Sequence, residues 1–103
     1  MRFNNVSLFK PLCAGQVAAN GVSQLSVGRV GFTSARPNQG QYVITFASAL
    51  PDANYVVSIT NISGVLTSLA TTITARTAQS FSMSVVRTNG TGNDMDFTFV
   101  IFN

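Results

Sequence analysis

Histidine, glutamate and tryptophan are absent from this 103-residue chain, cysteine occurs once, and charged side chains make up only 9% of it. Soluble domains carry about 25% charged residues, so the usual charged surface is cut to roughly a third. Each absence removes chemistry. General acid-base catalysis rests on a group titrating near neutral pH, most often His, and the only acids here are Asp52, Asp94 and Asp96. The 22 Ser and Thr residues have no imidazole to activate them, which leaves the single Lys10 for a Ser-Lys arrangement. Zinc sites want clusters of Cys and His, and one Cys without His cannot make one. No catalytic residue, cofactor or metal site is predicted, and the expectation is a protein that is not an enzyme.

About 100 residues predict one domain able to bury a core of its own. Cys13 has no partner for an intrachain disulfide and reads as a small buried hydrophobe. No signal peptide or membrane-spanning segment is predicted, since the longest strictly apolar runs, such as 99–102, are about four residues. Synthesis in a cytoplasm would leave the sequons at Asn5, Asn61 and Asn89 unmodified. The net charge of +3 and pI near 9.8 reflect scarce acids rather than abundant bases. Arg2, Lys10, Arg29, Arg36, Arg76 and Arg87 are scattered, whereas phosphate binding needs several cations on one face. Nucleic acid and membrane are therefore not expected partners.

What is present is a period of two. Tyr42, Ile44 and Phe46 alternate with Val43 and Thr45, and Tyr55, Val57 and Ile59 with Val56, Ser58 and Thr60. Phe81, Met83 and Val85 repeat the pattern, as do Phe97, Phe99 and Ile101. Such alternation predicts half-buried strands. A fifth strand is expected over 70–77, where Thr-rich sequence suits a pleated surface, and a sixth within 24–33 with a β-bulge at Gly28. Turns are expected at 50–54, 61–64 and 88–93, an exposed connection at 35–41, and at most one helical turn around 65–70. The fold class is all-β, a small antiparallel β-sandwich of about six to seven strands.

Residues 1–20 lack clean alternation and carry small residues such as Ala14, Gly15, Ala18 and Ala19. They read as an extended N-terminal docking arm, with the sandwich at 21–103 and Arg2, Phe3, Val6, Leu8, Phe9 and Lys10 as the residues that meet a partner. Asn61, Ser63, Asn89, Thr91 and Asn93 are the candidate outward loop residues. Asp94 and Asp96 offer half a cation site, but as strand-start residues they need no ligand, and Arg76 or Arg87 could pair with them. The Gly, Ser, Thr and Asn content is compatible with glycan binding. Val43, Val56, Val86, Val100 and Phe102 occupy the outer phase of their strands, where a lone sandwich should be polar, and so predict further interfaces.

The stretch GQYVITFASALPDANYVV at 40–57 and the closing DFTFVIF at 96–102 resemble the small β-sandwich heads at the C-termini of bacteriophage tail fibres, over roughly residues 28–103. The resemblance implies a non-enzymatic virion protein, usually trimeric, with strands packed around a threefold axis. Fibre heads follow a long shaft, whereas here only a 20-residue arm follows the initial Met. That suits a free-standing homotrimer fixed to a shell, a phage capsid decoration or cement protein made in the host cytoplasm and docked on the major capsid protein or another virion protein. The alternative is a tail-fibre tip recognising a host surface glycan or protein as its receptor.

Overall fold

A computed structural model describes residues 11–62, 69–88 and 90–102. They form eight strands: β1 (Cys13–Val17), β2 (Ser23–Val27), β3 (Phe32–Asn38), β4 (Gln41–Phe46), β5 (Val56–Ile62), β6 (Leu69–Arg76), β7 (Ser80–Arg87) and β8 (Asp96–Phe102). These make two four-stranded antiparallel sheets in the orders β2-β1-β8-β5 and β3-β4-β7-β6. Their inner faces share one core, so the architecture is a β-sandwich. There is no helix among the described residues.

The core is built from the alternating positions. Tyr42, Ile44, Phe81, Met83 and Val85 point inward from the second sheet, and Cys13, Val17, Phe97, Phe99 and Ile101 from the first, all essentially inaccessible to solvent. Phe99 meets Phe32 edge-on at 4.9 Å and Phe81 at 5.5 Å, and Tyr42 meets Phe97 at 5.0 Å. Edge-to-face rings at these separations contribute about 0.5–1.5 kcal/mol each beyond the area they bury. Leu50, Tyr55 and Met95 close the core from the connections.

Five expectations are corrected. The sandwich does not begin at residue 21, because Cys13–Val17 is an interior strand of the first sheet, paired with both β2 and β8. Its small residues are packing residues rather than linker: a side chain at Gly15 would collide with the Phe32 ring and the Leu25 carbonyl. The expected strand across 24–33 is two strands in different sheets, and the phase change marks the passage between them rather than a bulge. There Gly28 takes φ +118, and a side chain on it would collide with the backbone of Cys13. The exposed connection at 35–41 is shorter than expected, since β3 continues through Asn38. Strand β5 likewise runs through Asn61 and Ile62, so the expected turn at 61–64 starts later. Leu69 and Ala70 are the start of β6 rather than helix, and 65–68 lie outside the described residues.

Local turn chemistry follows the sequence elsewhere. Asp52 accepts the N–H of Asn54 at 2.8 Å, as an Asx turn does. Gly40 takes φ +74 in the β3–β4 hairpin, and Gly90 takes φ +86 between β7 and β8.

Candidate functional site

Strand register assigns every side chain to a face, because residues directly opposite each other share one. Ala14 lies opposite Val27 and Val100, Val100 opposite Ser58, and Phe102 opposite Val56. The outer face of the first sheet therefore carries Leu25 and Val27 from β2, Ala14 and Gln16 from β1, Thr98, Val100 and Phe102 from β8, and Val56, Ser58, Thr60 and Ile62 from β5. Val56 is 63% exposed, Leu25 53%, Phe102 52%, Val27 46% and Ile62 42%. Monomeric proteins keep contiguous apolar patches small, and larger ones mark interaction sites. Of the outer-phase residues singled out from the sequence, Val56 and Phe102 are exposed and Val43, Val86 and Val100 half-buried.

The second sheet has a different outer face. Thr33 pairs with Thr45, Val43 with Ser82, Gln41 with Ser84, Ser84 with Thr72, and Ala70 with Val86. This face bears hydroxyls and short apolar groups and no charged residue. A shallow groove of about 320 Å³ crosses it, lined among others by Pro37, Gln41, Val43, Thr74, Ser82 and Ser84.

Charge is confined to the rims. Among the described residues, every Arg and Asp lies in a connection or within two residues of a strand end. Arg36 and Asp94 form an ion pair at 2.7 Å, both side chains about one-third exposed. Asp94 also accepts the Gly40 N–H at 2.7 Å. The Arg36 guanidinium holds the Asp94 carboxyl below the usual carboxylate value against the opposing effect of burial, with the Gly40 amide adding a smaller contribution. Asp96 accepts the Ala19 N–H at 2.7 Å. The two acids thus anchor different backbone segments. Neither is paired with Arg76, which donates to the Tyr55 carbonyl, nor with Arg87, which donates to Asn93 at 3.0 Å.

The outward-loop expectation divides. Asn93 is turned inward, 7% exposed, bonded to Arg87 and to the Asp94 carbonyl. Asn61 lies on the inner face of β5, opposite Phe97, and donates to the Thr71 hydroxyl at 2.7 Å across the mouth between the sheets. Its Oδ1 is buried without a hydrogen-bond partner among the described residues. Thr91 is exposed in the β7–β8 connection, where its carbonyl accepts the Arg87 N–H. Ser63 and Asn89, and the arm residues Arg2, Phe3, Val6, Leu8, Phe9 and Lys10, lie outside the described residues. Sequence reasoning missed Leu25 and Val27 as surface residues because it placed them in one strand with Val30 and Phe32; the switch of apolar phase at Gly28 was the signal.

The chain matches no family model, no curated protein and no solved structure.

Cys13 is fully buried, and that burial pushes its thiol up to about 11. Among the described residues no three metal-binding side chains come together. What the geometry offers is two sheet faces without formal charge except Asp96 at one margin, ringed by ionic and backbone-capping contacts. Such faces suit association through apolar burial and neutral hydrogen bonds.

Proposed function

We propose that the protein is a non-enzymatic virion component: a homotrimeric phage capsid decoration protein that stabilises the shell by spanning junctions between capsid subunits. The observation that carries this reading is the apolar outer face of the first sheet, with Leu25 and Val27 exposed on one flank, Val56 and Phe102 exposed on the other, and half-buried Val100 between them. Burying such a face against other copies removes apolar area from water at about 25 cal/mol per Å², offset by the cost of association. The likeness of 40–57 and 96–102 to fibre heads supplies the phage setting and the threefold arrangement.

Native mass spectrometry of the purified protein is expected to give a trimer, and Leu25→Ser/Phe102→Ser is expected to release monomers that keep the wild-type circular dichroism. Labelled protein is expected on the shell in electron micrographs of virions. Removing residues 1–10, and not Leu12, which donates to the Ile101 carbonyl, should abolish attachment while the trimer persists. A wild-type monomer at high concentration, or undiminished shell occupancy without residues 1–10, sinks the proposal.

The charge-free hydroxyl face of the second sheet favours one other reading, a fibre tip binding a host glycan in the groove between Gln41, Thr74 and Ser84. Its volume is at the lower end of small-molecule sites, which run from about 300 Å³. Binding of the isolated protein to host cells, lost in Ser84→Tyr, supports that alternative; no binding, together with capsid co-purification, rejects it.

A further inference from the structure

A sheet edge presents unpaired N–H and C=O groups, and soluble proteins blunt such edges with charge, proline, bulges or shortness. Three of the four edges here are blunted. β3 carries Arg36 and Pro37 and an irregular register, β6 carries a register break and ends in Arg76, and β2 has five residues and a break against β1. β5 has none of these devices. Its seven residues, VVSITNI, contain no charge, proline or glycine, and they hold an unbroken register with β8 from Val56 opposite Phe102 to Ile62 opposite Asp96.

The sequence of β5 is also complementary to itself. An antiparallel pair of β5 strands centred on Ile59 sets Val56 of one copy opposite Ile62 of the other, and Ser58 opposite Thr60. These residues all share the outer face, so exposed apolar side chains meet each other and hydroxyls meet hydroxyls. Phe102, beside Val56 on the same face, extends the apolar contact. Shifting this register by one residue would place outer-face side chains opposite inner-face ones.

We propose that β5 is a homotypic docking edge: two copies of this chain join β5 to β5, antiparallel about a two-fold axis at Ile59, and fuse their first sheets into one eight-stranded sheet. A two-fold contact of this kind is self-complementary and closes at two copies. Its backbone pairing lies on the edge of the sheet, although Val56 and Phe102 also belong to the face assigned to the trimer, and it does not depend on the phage setting. Seven paired residues make a small interface, so the joint is expected at the weak end of specific association.

Cross-linking captures a weak joint and reads its register. The double variant Ser58→Cys/Thr60→Cys, mildly oxidised, is expected to give a disulfide-linked dimer with position 58 of one copy joined to position 60 of the other. Directly opposed Cβ atoms lie about 4.5–5.5 Å apart and diagonal ones up to about 7–8 Å, against about 3.5–4.5 Å in a disulfide. Either single cysteine variant should therefore cross-link far less. Adding Val56→Lys/Ile62→Lys should weaken the pairing about tenfold or more, and Val56→Lys/Ile62→Glu, which sets opposite charges across the junction, should restore it. All these positions are exposed, and thermal unfolding checks that each variant folds. Should the cysteine variant not fold, sedimentation of the two charge variants decides the same point. Equal cross-linking by single and double variants, covalent species larger than a dimer in place of the dimer, or insensitivity of the pairing to both charge sets overturns the proposal.

Discussion

The hydroxyl of Tyr42 accepts the backbone N–H of Met95 at 3.0 Å while donating to the carbonyl of Ala19 at 2.7 Å. A fully buried ring in the second sheet thereby fastens both the segment after β1 and the segment leading into β8. Burial raises the phenol above its ordinary value, so it keeps its proton and remains a donor.

Tyr42→Phe keeps the ring against Phe97 but leaves the Met95 amide and the Ala19 carbonyl without that partner. A buried group left unsatisfied costs about 1–3 kcal/mol. Chemical denaturation should show that loss as a lower midpoint with an unchanged slope.

Gly15→Ala should be more damaging than its size implies. The added methyl meets the Phe32 ring and the Leu25 carbonyl, and the backbone carbonyl cannot yield without disturbing the β1–β2 pairing. Overpacking costs about 1–3 kcal/mol and sometimes more, so a drop in melting temperature is expected. Phe32→Leu in the same background should recover part of it.

Acid should loosen the rim at Asp94. Its folded pKa lies below the ordinary 3.8 because Arg36 and the Gly40 amide favour the carboxylate. The stabilisation is fully present above the unfolded value and is lost as pH falls through about 4 toward the folded one. Asp94→Asn should flatten this part of the stability curve. Arg36→Ala should cost little stability near neutral pH, because the pair is partly exposed and screened by solvent.

Cys13 reports on global opening. A thiol raised from 9.0 to about 11 holds roughly a hundredfold less thiolate at pH 8, and alkylation needs the thiolate. Cys13 should stay unmodified by iodoacetamide in the folded protein and react at once in denaturant. Fast native-state labelling would show that β1 detaches alone.

Where one strand face is apolar and the other polar, the sequence could be read. Tyr42-Ile44-Phe46, Phe81-Met83-Val85 and Phe97-Phe99-Ile101 alternate cleanly because one side meets the core and the other does not. β1 escaped notice because crowding by Phe32 selects glycine at position 15, and a strand written with small residues resembles a linker. β2 and β3 were merged because a change of sheet and a bulge both shift the apolar phase by one.

The exposed apolar residues were legible in part. Val56 and Phe102 followed from alternation within recognised strands. The loop asparagines were not legible: Asn61 and Asn93 have the composition of turns, and only the fold shows their side chains engaged with Thr71 and with Arg87.

The order β2-β1-β8-β5 also governs how the chain can come to be folded. Cys13 at one end pairs with Ile101 at the other, and β8 separates β1 from β5. During synthesis the first sheet therefore has a gap in its middle until β8 leaves the ribosome, and β1 and β5 wait without their shared neighbour. Folding dominated by such distant pairings runs in milliseconds to seconds rather than microseconds. A nascent chain halted before Asp96 holds the second sheet's four strands and β1, β2 and β5 of the first, but lacks the strand that joins β1 to β5 and the core residues Phe97, Phe99 and Ile101.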